Sequence, residues 1–319
     1  MRFLVTGGAG FIGSHLCQRL IRDDHTVVCY DNFNNYYDPE IKRLNVRDLT
    51  GDPDFRLVEG DILDFDGLQG VFEESRPEVV VHLAARAGVR PSIEQPRLYQ
   101  KVNVEGSVNC LELGARYQVS RFILASSSSV YGNNKKVPFS EKDPVDFPVS
   151  PYAATKKACE LVAYTYHSLY KLPVTCLRFF TVYGPRQRPD MAIHKFTRAL
   201  MRDEEITMFG DGSSRRDYTY IDDIISGVER AVRNCSGYHI YNLGESRTTE
   251  LRELIRLLEN ATGHRARIRR MPNQPGDVAV TYADVTRARE ELGYQPTTPI
   301  EEGILRFVEW YRGCREGEV

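Results

Sequence analysis

The chain predicts an α/β fold, a doubly wound parallel sheet with a smaller, interleaved C-terminal α/β layer, on three observations. Short β-branched runs alternate with helical patterns through the first 180 residues, the order expected of βαβ units. Two of those runs, EVVVHL at 78–83 and RFILA at 121–125, are apolar without alternation, as strands covered on both faces are. The turn joining the first strand to the first helix, TGGAGFIG at 6–13, is glycine-rich, and glycines there let a helix begin tight against a strand end.

In order, FLVT at 3–6 reads as the first strand and SHLCQRLI at 14–21 as the amphipathic helix behind it. TVVCY at 26–30, FRLVE at 55–59, EVVVHLA at 78–84 and RFILAS at 121–126 read as further strands. SPYAATKKACELVAYTY at 150–166 reads as a long helix, and PVTCLRFF at 173–180 as a strand rejoining the sheet. After residue 180 the texture becomes loop-rich, basic and aromatic, as in YGPRQRPDMA and FGDGSSRRDYTY. The expectation is a Rossmann-type domain over 1–180 and a substrate domain over 181–319 on the C-terminal edge of the sheet, where open α/β sheets bind ligands. Helical patterns at 221–232, 249–262 and 300–312 fit either layer, so some segments are expected to return to the first domain.

Composition removes several function classes. With 42 Lys+Arg against 44 Asp+Glu in 319 residues the net charge is −2, which provides no global field for nucleic acid or an anionic membrane. Seven cysteines without a C-x-x-C pair suggest a reducing cytosol, and no apolar run is long enough to target or span a membrane. Seven histidines without paired-ligand spacing give no metal site.

Gly7, Gly10 and Gly13 are spaced to bring backbone N–H groups against a pyrophosphate at the start of a helix. Asp31 closes the second strand 21 residues after Gly10, where a carboxylate takes adenosine ribose hydroxyls and repels a 2′-phosphate. Asn32 and Phe33 offer no cation to reverse that, so NAD is expected rather than NADP. Two Tyr-x-x-x-Lys pairs occur, Tyr131 with Lys135 and Tyr152 with Lys156. The first crosses a Gly-Asn-Asn turn, whereas the second lies in a helical stretch where i,i+4 side chains share a face. A phenol is a poor base at neutral pH, but a lysine about 4 Å away at an effective dielectric of about 20 favours the phenolate by about 4 kcal/mol. That suits Tyr152 to general base catalysis. The serines Ser126 to Ser129 stand about 25 residues before Tyr152, at the edge where the nicotinamide would lie; one can relay a proton and others can hold polar substrate groups.

TGGAGFIG, Asp31, Asp61-Ile62, HLAA at 82–85, Asn103, SSSSVYG, YAATK and RRDYTY together resemble the extended short-chain dehydrogenase/reductase family, in its NAD-dependent nucleotide-sugar epimerase and dehydratase branch. The likeness runs over nearly the whole chain. It implies Ser127, Tyr152 and Lys156 as the catalytic set. The implied cofactor set is Gly7, Gly10, Phe11, Ile12, Gly13, Asp31, Asn32, Asp61, Ile62, Leu83, Ala84, Ala85 and Asn103 with Tyr152 and Lys156; Asp61 and Ile62 would meet the adenine and Asn103 would orient the lysine through water. Arg216 matches the family's diphosphate-binding arginine and Asp277 a residue near the nucleotide ribose, while Gln274 replaces a frequent arginine. A homodimer is implied as well, through the helix of Tyr152 and the one near 98–117.

Members that eliminate water carry an Asp-Glu pair where Ser128 and Ser129 stand here, and decarboxylases carry Glu at the position of Ser129. Dehydration needs an acid and a base together, which two serines do not supply. LRFFTVYGPRQRPDMA at 177–192 and DNFNNYYDPEIKRLN at 31–45 look most like UDP-glucuronate 4-epimerases. A UDP-sugar is therefore the expected partner, with Ser128, Ser129 and Thr181 around the sugar carboxylate, Arg188 at the carboxylate or the diphosphate, and Arg90 near sugar or phosphates. Arg86 stands where these relatives usually have Gln. Other readings are a 4-epimerase of UDP-glucose or UDP-N-acetylglucosamine, a decarboxylase, a dehydratase, or a non-catalytic NAD sensor.

Overall fold

The computed structural model describes residues 1–272 and 278–314. The first part of the chain runs β1 (Arg2–Thr6), α1 (Phe11–Arg22), β2 (Thr26–Asp31), α2 (Pro39–Val46), β3 (Phe55–Glu59), α3 (Phe65–Ser75), β4 (Val79–His82), α4 (Val89–Glu94), α5 (Pro96–Tyr99), α6 (Gly106–Arg116), β5 (Arg121–Ser127), α7 (Pro151–Tyr170) and β6 (Val174–Phe179). Then follow β7 (Thr181–Tyr183), α8 (Ala192–Met201), β8 (Glu205–Phe209), β9 (Arg215–Arg216), β10 (Tyr218–Tyr220), α9 (Ile221–Arg233), β11 (Tyr238–Leu243), β12 (Thr249–Glu250), α10 (Leu251–Thr262), β13 (Arg267–Met271), α11 (Thr286–Leu292) and α12 (Ile300–Gly313).

Seven parallel strands form the main sheet in the order β3-β2-β1-β4-β5-β6-β11. Strand alternation divides the core: Phe3, Val5 and Val81 face α1 and α9, while Leu4, Val80 and Leu124 face α3, α6 and α7. The expected strands are all present, and PVTCLRFF does rejoin the sheet as β6. The seventh strand, YHIYNL, was not anticipated. As an edge strand it is covered less completely, its first three residues being only half-buried, so its apolar signal is diluted by His239 and Asn242.

The strand order reverses between β1 and β4, which opens a crevice at their C-terminal ends. Beyond β6 three two-stranded pairs, β7 with β10, β9 with β12 and β8 with β13, build a layer beside that crevice. A six-residue π-helical segment, Gln100–Glu105, joins α5 to α6, and such wide turns cluster at functional positions. Among the described residues no helix is long and apolar enough to cross a membrane.

His82, the last residue of β4, is fully enclosed and bridges Thr6 Oγ1 (2.7 Å) and Ser107 Oγ (3.0 Å). Burial, aided by the nearby charge of Lys156, lowers its pKa from 6.5 to about 3. Between those values the unfolded chain binds a proton that the fold refuses, so stability rises with pH, by at most about 1.4 kcal/mol per pH unit from this group. A His82→Gln variant should therefore lose most stability near neutrality, the gap to the parent closing as pH falls from about 6.5. Urea midpoints across that range check this, and a constant gap would contradict it.

Candidate active site

A cavity of about 450 Å³ occupies the crevice, and sequence-distant segments converge on it. One end is built by the turn after β1. An added Cβ at Gly7 (φ +69°) would stand 2.7 Å from Ala84 N, and one at Gly13 would stand 2.2 Å from Gly7 O. The turn thus packs directly on the strand end and on its own helix. Gly10 caps α1 without a side-chain bond, and the first turn holds no acidic residue. Its free N–H groups and the positive end of the helix dipole suit a diphosphate. Asp31 is buried at the end of β2 and accepts from Ala9 N (3.2 Å) and Phe33 N (3.0 Å). The residues present therefore fit a dinucleotide.

The cation expected to be missing here comes from α2. Lys42 Nζ stands 3.8 Å from Asp31 Oδ1, both side chains buried, and donates to Asn34 O (3.1 Å). Burial pulls its pKa down and Asp31 partly restores it. Lys42 lies eleven positions after Asp31 in sequence, so only the chain's return through α2 could reveal the pairing.

At the other end of the cavity β5 stops at Ser127, and Ser127 Oγ caps a short 3₁₀ turn over Ser128–Tyr131 by accepting from Ser129 N (3.2 Å). Ser127, Ser128, Ser129, Tyr152, Lys156 and Thr181 all line the same cavity. Ser150 caps α7 by accepting from Ala153 N (3.1 Å), with Pro151 at the first helical position. Lys156, one turn after Tyr152, is buried and donates to Ala125 O (2.7 Å), fixing the helix against β5.

Beneath this face lies a buried polar network. Glu160 on α7 accepts from Arg178 Nε and a terminal guanidinium nitrogen on β6 (both 2.8 Å) and from Ser126 Oγ on β5 (2.6 Å). Both charged side chains are only 1% exposed. Burial alone would raise the Glu160 carboxyl, but Arg178 and Ser126 hold it below its ordinary value. Arg178 also donates to Tyr131 OH (3.0 Å), which donates to Asn242 Oδ1 on β11 (2.7 Å). Tyr131 is thus a buried structural phenol. The sequence carries only half of the signal for this network: an arginine inside the apolar strand CLRFF needs a buried partner, but nothing local points to Glu160, one helical turn past Lys156.

Of the other predicted residues, Phe11, Ile12, Asn32, Ile62, Leu83, Ala84 and Ala85 line the cavity. Asp61 stands behind that wall, its carboxylate accepting from Asn32 Nδ2 (2.9 Å) and Leu63 N (2.9 Å). Asn103, in the π-helical segment, holds the Arg86 backbone at N (2.7 Å) and O (3.0 Å) and donates to Thr155 Oγ1 (3.0 Å). Arg188 lines the cavity, but its guanidinium is forked onto Asp190 (2.9 Å twice) and lies 5.3 Å over the Tyr36 ring. Arg90 is stacked on Phe209, and Arg216 donates to Arg215 O and Ala279 O; neither is part of the cavity wall. Asp277 and Gln274 lie outside the described residues. Among the described residues no cluster has the makings of a metal site.

This fold and this crevice define an extended short-chain dehydrogenase/reductase of the nucleotide-sugar branch. The chain belongs to the family described as GDP-mannose 4,6 dehydratase, whose model matches residues 4–307. It is 42% identical to a UDP-glucuronate 4-epimerase of Thermodesulfobacterium geofontis, covering 97% of this chain and 95% of that one. Among solved structures it is similar to the UDP-glucuronic acid 4-epimerase of Bacillus cereus in complex with UDP-glucuronic acid and NAD (TM-score 0.92, 36% identity, 98% of this chain and 99% of that one). It is similar also to the UDP-glucose 4-epimerase of Thermotoga maritima with UDP-glucose (TM-score 0.91, 36% identity, 98% and 99%).

Replacing Glu160 by Gln leaves the Arg178 charge buried without its counterion, a change that costs about 3–5 kcal/mol in comparable pairs. Urea unfolding of the variant should reveal a loss of that order; a loss well under about 1 kcal/mol, the scale of an exposed pair, would mean that the network contributes little.

Proposed function

We propose that the protein interconverts UDP-glucuronate and UDP-galacturonate by NAD-dependent inversion at C4. One observation carries this reading: among the described residues that line the cavity the sole acid is Asp31, at the cofactor end, while the substrate end offers hydroxyls from Ser127, Ser128, Ser129 and Thr181. Elimination of water would require an acid and a base beside the sugar, and none of those hydroxyls is a strong acid. A site of this kind can oxidise and re-reduce one carbon and do little more.

In this reading the NAD ring, when bound, accepts and returns the C4 hydride. Tyr152 takes the 4-hydroxyl proton, with Ser127 as the relay, and Lys156 supplies positive charge beside the moving proton. Gly7, Gly13 and the start of α1 hold the diphosphate, and Asp31 meets the adenosine ribose. Ser128, Ser129 and Thr181 hold the sugar carboxylate. The 4-keto sugar turns in the cavity to present its other face, and Tyr152 gives its proton back.

A second reading, UDP-glucose as substrate, is favoured by the fork of Arg188 onto Asp190, which leaves that guanidinium engaged rather than free for a carboxylate. Incubating purified protein with UDP-glucuronate, without added reductant, and resolving the nucleotide sugars separates the two. UDP-galacturonate rising to a steady ratio without CO2 is the expected result; no conversion, with turnover of UDP-glucose, would replace the first reading by the second. Tyr152→Phe should nearly abolish turnover while NAD remains bound, and an active variant would remove Tyr152 from its role.

The division of labour follows: residues 1–180 with the returning α9 and β11 build the cofactor end and deliver the serines and Tyr152, and the remainder from 181 onward completes the substrate end. Six buried free cysteines fit a reducing cytosol. Leu161, Tyr164, Leu169 and Tyr170 of α7 are each more than half exposed, an apolar face suited to a second copy of the chain. We expect a homodimer by light scattering, and expect Leu161→Glu with Tyr164→Glu to yield monomers; a dimer persisting in that variant would exclude this face.

A further inference from the structure

The reaction proposed above returns the cofactor to its starting state only if nothing leaves while the sugar is a ketone. A crevice at an open sheet edge does not guarantee that. The segment 32–42, running from the end of β2 into the first turn of α2, crosses the rim of the cavity, to which it contributes Asn32, Asn34, Tyr36, Tyr37 and Lys42.

We propose that this segment is a strap that retains the cofactor through the catalytic cycle, and that the Tyr36 phenol is its latch. The proposal rests on the reading of NAD as resident cofactor.

The strap is stiffened from within and tied down at both ends. Asn32 Oδ1 accepts from Asn34 N (3.1 Å) and Asn34 Nδ2 (2.7 Å), and Asn34 Oδ1 accepts from Tyr36 N (3.0 Å). Lys42 closes the base of the strap by donating to Asn34 O while facing Asp31. At the tip Tyr36 OH reaches across the cavity rim to Ala87 O (2.8 Å), 51 residues away, on the loop that follows β4. The seat for this phenol is made by Gly88 at φ +98°, where an added Cβ would stand 2.8 Å from Tyr36 OH.

The far face of the tip meets the other layer. The Arg188 guanidinium, held by Asp190, lies over the Tyr36 ring at 5.3 Å, and Arg86 lies over it at 5.6 Å. The latch therefore joins three chain segments that separately border the cofactor end, the loop after β4 and the layer beyond β6. It also touches the chemistry indirectly. Ala87 O accepts a second phenol, Tyr99 OH (2.6 Å), whose ring packs edge-on against Tyr152 at 6.3 Å. Both phenols must be protonated to donate, and burial pushes both of them up, away from ionisation.

Tyr36 touches neither reacting atom, so it is a retaining residue and its signature is cofactor loss. The experiment loads parent, Tyr36→Phe and Tyr36→Ala with NAD, removes free nucleotide by gel filtration, incubates with an NAD-degrading enzyme, and measures nucleotide remaining after acid denaturation. Phe keeps the ring contacts and lacks one hydrogen bond, so loss should quicken on the order of tenfold; Ala lacks both, and loss should quicken on the order of a hundredfold. Initial rates on UDP-glucuronate should return to near the parent value when NAD is added to excess, which a misfolded site would not allow. NAD retention equal to the parent in both variants, or a rate deficit that NAD does not rescue, overturns the strap. A parent that cannot be loaded with NAD at all overturns the cofactor reading and the strap together.

Discussion

The ion pair between Glu160 and Arg178 is the constraint on which the site depends. It joins three elements that the hydrophobic core alone would leave free to slide: α7, which carries Tyr152 and Lys156, β5, which delivers the serines, and β6, which leads into Thr181. Apolar contacts between a helix and a sheet tolerate small displacements, because dispersion and burial are non-directional. A forked guanidinium–carboxylate pair at 2.8 Å does not. Its desolvation makes it a doubtful source of stability. In the proposed reaction its contribution is register, since a phenol and a serine hydroxyl act together only when helix and strand hold their relative position.

The same logic separates the two ends of the cavity. The cofactor end is rigid by close approach, with glycines at Gly7 and Gly13 where any side chain would collide with backbone. The charge there is already matched, Asp31 with Lys42, and at the cavity rim Arg188 is matched with Asp190. The substrate end consists of small rotatable hydroxyls on the last residues of β5, on the 3₁₀ turn that follows and at the start of β7. Charge matching at one end and neutral, adjustable donors at the other are what the crevice of a doubly wound sheet makes available, because the strands end there and their loops diverge.

How much of this the sequence disclosed follows from the range of each interaction. The glycine turn, Asp31 and the pair Tyr152 and Lys156 were legible because each motif is local: its spacing fixes its geometry within one turn or one strand-helix joint. The serine run was legible as the end of a strand. Lys42 beside Asp31, Tyr36 against Ala87, and Glu160 with Arg178 were not, because each pairing is made by the tertiary fold and leaves at most a lone charge or phenol in the sequence. Arg188 falls between these cases. Its presence at the cavity is legible from the motif, but its commitment to Asp190 two residues on depends on how the loop folds back on itself. The edge strand β11 escaped for a different reason, its pattern being that of half-buried rather than buried backbone.

An epimerase has a requirement that a dehydratase lacks: it must bind both epimers, and the ketone between them, without favouring one so strongly that turnover stalls. A fixed fork such as arginine on the sugar ring would impose one orientation, since a bidentate contact is lost entirely when the ring turns. Hydroxyls do not have this fault. Each serine or threonine rotates about its own bond and can donate or accept, so in the proposed reaction the set Ser128, Ser129 and Thr181, which lines the cavity, would satisfy polar groups presented from either face. The cost is weaker holding of the sugar, and this places the burden of retention elsewhere, on the diphosphate and on whatever keeps the cofactor from leaving. On the proposed reaction, the engaged state of Arg188 and the contact of Tyr36 with Ala87 at the cavity rim answer one demand, that the part of the ligand which turns be held loosely and everything around it be held fast.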